Sequence, residues 1–518
     1  MSAPAPPAAT DPAGPTGRLA TWVADLALTD VPPPIVERAK HLLLDGIGCA
    51  LIGAQLPWSR LATGAVLDLE SPGPTVVVGT GRTTGAPAAA ILNGTFIQGF
   101  ELDDFHPLAP LHSCSLVIPA LLSTAATRTV PTTGADLLLA AIAGFEVGPR
   151  VGLTLHGTQM LDRGWHSGAV FGTHAAAMAS GKLRELPPAQ LEDALGLAGT
   201  QSSGLMAAQY EAISKRMHHG LAARNGFYAA GLAAAGYTGI KRVFEREYGG
   251  FLSVFGEGHD PDAALLTAGL GEHWETGVIM VKSYAAMGGL HGAIDAARRL
   301  RRQVAPDDIT AIDITVGETI YKHGWWPPQR PLTPIGAQMH IAYATAAALL
   351  DGNVLPEQFT PARLDSDDIW SLIAATSVHL DASLTRADEK WRTDLVVTTR
   401  DGAVHRARVS VPHGAPTDPV TNAELAAKFH ALADRVTSRA RATAIEAALT
   451  GLDSLEDIAD LIDLLAPPVA GALDRGVQAE WCAGIGAGHH QQVVIRASVQ
   501  RRGQGLLEHR RVDYLLVR

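Results

Sequence analysis

Six groups that can bind or release protons fall within sixteen residues, 100–115, whose sequence is FELDDFHPLAPLHSCS. They are three carboxylates, two imidazoles and a thiol, namely Glu101, Asp103, Asp104, His106, His112 and Cys114. Prolines at 107 and 110 prevent a helix from running through the stretch. Unpaired charge is costly to bury, so the stretch is typical of a solvated surface loop or of a catalytic loop, and its apolar flanks favour the catalytic loop.

Three further stretches place histidines and cations near predicted helix starts: GWHSG at 164–168, SKRMHHG at 214–220 and KSYAAMGGLH at 282–291. Their candidate site residues are His166, Lys215, Arg216, His218, Lys282 and His291. Each stretch alone is as typical of core histidines or exposed cations as of a site. A helix start with Lys and Arg is nevertheless a favourable place for a carboxylate, and Arg330 near two tryptophans is a candidate at the rim.

Together these groups suit a small polycarboxylate substrate. Lysine and arginine would bind its carboxylates, and a histidine would remove a proton next to a carboxylate or donate one to a leaving hydroxyl. This chemistry needs no cofactor. The spacing of the histidines and acids matches no familiar metal-ligand motif, and the sequence contains no phosphate-binding loop or dinucleotide fingerprint.

Composition narrows the class of protein. The chain has 518 residues and a formal net charge of -11, which argues against a nucleic-acid partner. Its 3 cysteines are far apart and odd in number, which favours a reducing cytoplasm over a disulfide framework. No uninterrupted apolar run reaches the roughly 18–20 residues of a membrane span. The first sixteen residues, rich in Pro and Ala, predict a disordered leader.

The patterning predicts a mainly α protein in which a helical domain is interrupted by an α+β domain. Residues 17–272 contain helical stretches, many of them rich in Ala and Gly, and 273–417 add short β-forming runs at 278–281, 309–316, 377–380, 394–399 and 404–411. Asp401-Gly402 predicts a hairpin, and we expect an antiparallel sheet. Helical patterning returns at 418–470, as if the chain came back to its first domain, whereas the role of 471–518 stays open.

Five segments, in this order, resemble the MmgE/PrpD family: LDDFHPLAPLHSCS, GWHSGAVFGTHAAA, SKRMHHGLAARNGFYAAGLAAAGYTG, KSYAAMGGLHGAIDAA and HGAPTDPVTNAELAAKF. The family includes 2-methylcitrate dehydratase, cis-aconitate decarboxylase and iminodisuccinate epimerase. The resemblance implies a helical domain built from both chain ends, an inserted α+β lid, a homodimer and a cofactor-free site between the domains.

The resemblance also implies roles for individual residues. The positions that match the family's site are Asp104, His112, His166, Lys215, His218 and Lys282. Glu101 replaces an aspartate typical of the decarboxylase, Phe105 replaces a threonine, and Met287 stands where the decarboxylase has a histidine. These three differences favour a hydro-lyase over a decarboxylase.

The leading hypothesis is therefore a lyase of small polycarboxylates, most simply a hydro-lyase. One of His112 and His166 would be the base and the other the acid, with Asp104 orienting His112. Lys215 and Lys282 would stabilise developing charge. A larger set is expected to bind the substrate: Glu101, Asp103, Arg216, His218, His291 and Arg330. An epimerase, a cis-aconitate-type decarboxylase and a non-catalytic dimeric binding protein remain the alternatives.

Overall fold

The computed structural model describes residues 7–384 and 389–471. The described residues are 56% helical and 8% strand, which confirms the mainly α prediction. Two weak strand-like runs in the sequence, at 493–499 and 511–517, lie outside the described residues. Residues 7–16 are ordered against the helices, contrary to the predicted leader: the Thr10 backbone N–H donates to Glu192 at 2.8 Å and that of Thr16 to Glu245 at 2.7 Å.

The first part of the chain is helical, with one short hairpin of β1 (Thr75–Val77) and β2 (Arg82–Thr84). Its helices are α1 (Pro15–Asp25), α2 (Pro33–Ala54), α3 (Pro57–Leu69), α4 (Ala86–Ile97), α5 (Cys114–Ala125), α6 (Gly134–Thr154), α7 (Thr158–Asp162), α8 (Ser167–Val170), α9 (Gly172–Leu183), α10 (Pro188–Thr200), α11 (His218–Ala234) and α12 (Phe251–Phe255). Prolines occupy the first turns of several of these helices, where a missing N–H costs nothing. The patterning did not predict α3.

Small residues let the central helices of this part approach closely. Helix α11 packs between α4 and α9. A Cβ at Gly220 would lie 2.1 Å from the carbonyl oxygen of Ile91 in α4, and one at Gly226 would lie 2.6 Å from the backbone of α9. The Ala- and Gly-rich sequence therefore allows the backbones of these helices to lie close together. This packing places the N-terminal end of α11 near the loop that follows α4.

Helix α6 is long and apolar enough to cross a membrane by composition, but 89% of its apolar window is buried inside the protein. Length and hydropathy alone do not distinguish such a helix from a membrane span. The burial of α6 is that of a core helix.

A four-stranded mixed sheet follows, with strand order β4-β3-β5-β6. Its strands are β3 (Ile309–Val316), β4 (Thr376–Leu380), β5 (Thr393–Thr399) and β6 (Val404–Val409). The antiparallel prediction is wrong for β3 and β4, which pair in parallel. Helices fill the connection between these two strands, and a parallel pair needs such a long crossover. The hairpin at Asp401-Gly402 is confirmed, with Gly402 at φ 84°.

The helices around this sheet are α13 (His291–Leu300), α14 (Glu318–Gly324), α15 (Pro334–Met339), α16 (Ile341–Asp351), α17 (Pro361–Leu364) and α18 (Asp367–Ala374). The strand expected at 278–281 is absent from this described stretch. Instead Met280 forms an isolated bridge with Phe105, and their backbones exchange two hydrogen bonds of 2.9 Å. An apolar run buried on all sides gives the same pattern as a strand. The bridge ties the segment before Lys282 to the loop after α4.

The chain then returns to the first helices through α19 (Asn422–Ala433), α20 (Arg439–Thr450) and α21 (Ala459–Leu465). Helix α19 packs against α2, as the returning pattern predicts. The described residues fall into one closely contacting unit. The boundaries of a separate lid at 273–417 therefore stay a prediction.

Candidate active site

The loop between α4 and α5 is fixed at both ends. Its first residue, Glu101, has the left-handed conformation at φ 55°, which turns the chain out of the preceding helical turn. At the other end the Asp104 carboxylate accepts hydrogen bonds from the backbone N–H groups of Ser113 and Cys114 at 2.7 and 2.9 Å. Asp104 thus caps the start of α5. In between, His106 is bound by Glu275 at 2.9 Å.

Glu101 is the centre of a buried ion cluster. Its carboxylate binds the ammonium groups of Lys215 and Lys282, the latter at 2.8 Å, and the guanidinium of Arg216 at 2.9 Å. Although burial opposes ionisation, Lys215, Lys282 and Arg216 hold the pKa of Glu101 well below its usual value. Burial in turn lowers the pKa of Lys215 and of Arg216. Three cations on one carboxylate leave the cluster with excess positive charge.

His112 is held by an aspartate, but not by the one predicted. Its Nδ1 lies 3.0 Å from Oδ1 of Asp103. An Nδ1–H donated to this carboxylate fixes the tautomer and leaves Nε2 able to accept or return a proton. Asp104 instead caps α5, so the predicted orienting role of Asp104 is corrected to Asp103. Adjacent loop residues point in different directions, and the sequence alone does not distinguish them.

Four histidine rings lie beside one another behind the loop. His219, which the sequence reasoning left out of the site, has its ring 4.9 Å from that of His112 and 5.2 Å from that of His166. His218 lies 4.4 Å from His166. A Cβ at Gly168 would lie 1.8 Å from His219, which explains the glycine in GWHSG. The pairing of His218 with His219 at the start of α11 was the signal available.

Three of these histidines, His166, His218 and His219, have lowered pKa values, which favours their neutral forms at pH 7. Burial, with the neighbouring charges of His218 and Lys215, lowers the pKa of His166 well below its usual value. Burial also lowers the pKa of His219, and it lowers that of His218 to about 4. An uncharged imidazole can still accept or relay a proton.

One cavity brings the central groups together, with a volume of about 100 Å³. Drug-sized ligands occupy pockets of roughly 300–1,000 Å³, so this one suits a small molecule. Its charged or titratable lining is Glu101, His112, His166, Lys215, Lys282 and His323. Its apolar lining includes Phe105, Leu161, Met206, Met287, Ile320 and Trp391. Two lysines and two of the predicted histidines therefore share one small space with apolar side chains.

Several predicted substrate-binding residues do not line this cavity. Arg216 is occupied by Glu101 and by the side-chain oxygen of Gln338. Asp103 lies behind His112, and His218 lies behind His166. His291 is buried with its Nε2 3.4 Å from the Ala286 carbonyl oxygen. Direct contact with a substrate in the cavity is thus restricted to fewer residues than the sequence predicted.

Arg330 is also outside the cavity. Its guanidinium binds Asp365 at 2.6 Å and Asp367 at 2.7 Å on the surface of the sheet region. The prediction that it forms the rim of the site is wrong, because nearby acids of its own region compensate its charge. The tryptophans beside it gave no information on this placement.

His323 is a cavity residue that sequence reasoning missed. It comes from α14, and its Nε2 lies 3.1 Å from Oδ1 of Asp162 in α7. The histidine lowers the pKa of Asp162. The two residues are 161 positions apart, and no local spacing could have indicated the pair.

No group of three or more His, Cys, Asp or Glu residues within 7–384 and 389–471 is arranged to hold a metal ion. The four histidines near the cavity pack ring against ring rather than converging on one point. Convergence of several nitrogen or oxygen atoms is what a transition-metal site requires. The expectation of metal- and cofactor-free chemistry stays a prediction.

Comparison with known proteins places the chain among related sequences. A cis-aconitate decarboxylase-like protein of Aspergillus oryzae is 44% identical over 469 residues, which cover 87% of this chain and 97% of that protein. The cis-aconitate decarboxylase of Aspergillus terreus is 39% identical over 478 residues, 89% of this chain and 97% of its own length. The human cis-aconitate decarboxylase is 25% identical over 464 residues, with shares of 88% and 95%.

The profile of the MmgE/PrpD N-terminal domain matches residues 17–264, and that of the MmgE/PrpD C-terminal domain matches residues 284–453. Together they span most of the chain, including every residue of the cavity except Lys282, which lies between the two matches. The mainly helical fold of the described residues, with a small sheet in its C-terminal part, agrees with the mainly α expectation. The chain belongs to the MmgE/PrpD family.

Proposed function

We propose that this protein is a carboxy-lyase that decarboxylates a small polycarboxylate, with cis-aconitate as the first substrate to test. The observation that carries the proposal is one small cavity in which Lys215 and Lys282 meet His112 among apolar side chains. The names of the relatives at 44% and 39% identity support the same reaction. They favour the decarboxylase alternative over the hydro-lyase that we preferred from the sequence.

The cations would bind the carboxylates that the product keeps. In cis-aconitate, only the carboxylate on the saturated carbon can leave as carbon dioxide with its electron pair delocalised. That pair forms a new terminal double bond, and the electrons of the former double bond move to the carbon next to the remote carboxylate. Lys215 and Lys282 would stabilise the charge that develops on that carboxylate.

His112 would deliver the proton that completes the reaction. The carbon next to the remote carboxylate takes one proton, and the loss of carbon dioxide needs none in return. His112 suits this role because Asp103 fixes its ring and its side chain lines the cavity. His166, neutral through burial, would orient the substrate or return the proton to His112.

A hydro-lyase of the 2-methylcitrate dehydratase type is the second candidate. It would use the same lysines, with one histidine removing a proton and another protonating the leaving hydroxyl. The three residues that favoured it, Glu101, Phe105 and Met287, all line the cavity and would therefore affect the choice of substrate. A homodimer and a cytoplasmic location also remain proposals.

Proton NMR of the purified protein in deuterated buffer distinguishes the candidates. Cis-aconitate, citrate, 2-methylcitrate and iminodisuccinate are supplied separately. We expect cis-aconitate to lose carbon dioxide and the product to carry one deuteron in its methylene group. Loss of water from 2-methylcitrate without decarboxylation of cis-aconitate would favour the hydro-lyase, and exchange without either would favour an epimerase.

A His112→Gln variant tests the assigned proton donor. We expect kcat to fall by about a hundredfold or more, the usual scale for a general acid. His405→Gln, in strand β6 of the sheet region, is the matched control and should retain activity. Full activity of His112→Gln would contradict the assignment.

A further inference from the structure

Three carboxylates are fully buried behind the cavity: Asp45 of α2, and Asp103 and Asp104 of the catalytic loop. The three carboxylates are close enough to interact electrostatically. Burial, together with the charge of Asp103, raises the pKa of Asp104 to about 7. Buried carboxylates this close cannot all stay ionised without cations nearby. The state of Asp103 matters most, because it is the partner of His112.

Lys428 of α19 supplies a cation to this group. Its ammonium lies 2.7 Å from Oδ1 of Asp45 and donates a hydrogen bond of 2.5 Å to the carbonyl oxygen of Leu102, immediately before Asp103. Although burial opposes its charge, Asp45 and Asp103 raise the pKa of Lys428. One side chain from the returning segment therefore both compensates the carboxylates and holds the backbone beside them.

Other charged groups in this region are already engaged or are acidic. Arg38 of α2 donates to the carbonyl oxygens of Ile279 and Val420, at 2.8 and 3.2 Å. The titratable groups that interact with Lys428 are Asp45, Cys49, Asp103 and His291. Those that share the adjoining cavity with it are Lys282, Tyr284, Arg298, His413, Glu424 and Arg435. Lys428 thus binds one of the three carboxylates directly.

We infer that Lys428 is a positioning residue for the reaction proposed above: it compensates the charge of the three buried carboxylates and holds the backbone beside Asp103, so that Asp103 stays in place as the hydrogen-bond acceptor of His112. Without this cation, the negative charge of the buried group loses its compensation, and the backbone beside Asp103 loses a hydrogen bond. Both changes would disturb the carboxylate that fixes the tautomer of His112.

The test compares three variants. For Lys428→Met we expect kcat about tenfold lower, with KM unchanged and the acidic limb of the pH–rate profile moved upward by about one pH unit. The double variant Lys428→Met/Asp45→Asn removes one charge of each sign and should recover most of the activity. Lys428→Arg should resemble the wild type. An unchanged pH profile in Lys428→Met, or a double variant no better than the single one, would overturn the inference.

A readout independent of turnover separates this inference from the proposed function. The Nδ1–H of His112, bound to a carboxylate, should give a downfield proton resonance, assigned by its loss in His112→Gln. We expect this signal to weaken near pH 6–7 in Lys428→Met and to return in the double variant. If the wild type decarboxylates none of the four acids, the proposed function fails, whereas a signal identical in all variants refutes the role of Lys428.

Discussion

Two groups of cationic and acidic side chains in this protein, one around Glu101 and one around Arg330, differ in their surroundings and in their relation to the cavity. Around Glu101 the carboxylate is 2% exposed and binds Lys215, Arg216 and Lys282 at the wall of the cavity. Around Arg330 the guanidinium is 40% exposed and binds two surface aspartates. Both groups were candidates for substrate binding from the sequence, and only the first reaches the cavity.

The difference lies in the solvent around the charges. Water screens the surface pairs, so their removal changes little. At the Glu101 group each charge depends on its partners, because a buried charge that loses its partner is costly. The excess of cations there also gives an attraction for carboxylates that water does not weaken. Burial, rather than residue type, is what makes one group a plausible anion site.

Removal of the Glu101 charge should give the largest effect. In Glu101→Gln three buried cations lose their shared carboxylate, and we expect the free energy of unfolding to fall by about 3–5 kcal/mol. Activity should fall by about a hundredfold or more, because Lys215 and Lys282 would no longer be held in place. Urea denaturation and kcat/KM on the same preparations measure both.

Glu318→Gln is the matched control for that variant. Glu318 makes an exposed pair with Lys322 at 2.8 Å, one turn apart in α14. We expect no measurable change in stability or turnover. Equal effects of the two Glu→Gln changes would show that burial does not distinguish the two kinds of ion pair.

Asp103 and Asp104 of the catalytic loop extend the comparison. Both are buried, but Asp103 binds His112, whereas Asp104 binds backbone N–H groups at the start of α5. Asp103→Asn should lower kcat by about tenfold to a hundredfold, because His112 loses the carboxylate that fixes its tautomer. Asp104→Asn should act mainly on stability, at about 1 kcal/mol, since it weakens the cap of α5. Kinetics and thermal unfolding of both variants separate the roles. A larger kinetic loss in Asp104→Asn would restore the role predicted from the sequence.

The sequence predicted the local features of this site more successfully than the distant ones. Strand β3 has the predicted bounds, and α4 and α5 flank the loop as expected, because periodicity and proline positions are local signals. The choice between Asp103 and Asp104 depends on the loop backbone, which starts from the left-handed Glu101. No pattern in a single sequence indicates that conformation.

The sequence also did not predict contacts between segments that are distant along the chain, because local patterns do not encode them. The parallel pairing of β3 with β4 depends on how five helices are accommodated between them. The His323–Asp162 pair joins the sheet region to α7 over 161 positions. Such contacts form only when the helices have packed, so the residues themselves carry no local sign of them.

His174 differs from both groups, because it is a buried titratable residue with no ion-pair partner among the described residues. His174 packs against Phe244 and Phe251, and neither of its ring nitrogens has a hydrogen-bond partner among the described residues. Burial lowers the pKa of His174 to about 3. Because the unfolded chain binds a proton near pH 6.5 and the folded one does not, stability is lost as the pH falls below 6.5.

Replacement of this ring by leucine should remove its share of the acid sensitivity. We expect the fall in unfolding free energy between pH 6 and 4 to be less steep in His174→Leu, by up to about 1.4 kcal/mol per pH unit. Activity at pH 7 should be retained, since the residue does not line the cavity. Urea denaturation at several pH values measures the slope, and an unchanged slope would show that His174 is protonated in the folded protein.

Arg330→Gln should have the smallest effect and completes the comparison with Glu101. Its partners, Asp365 and Asp367, are 57% and 92% exposed, so water solvates them when the guanidinium is removed. We expect kcat/KM within about twofold of the wild type, as for a surface substitution away from the site. Steady-state kinetics with cis-aconitate provide the measurement. A large rise in KM would mean that the sheet region moves Arg330 onto the substrate during turnover, and the cavity described above would then be only part of the binding site.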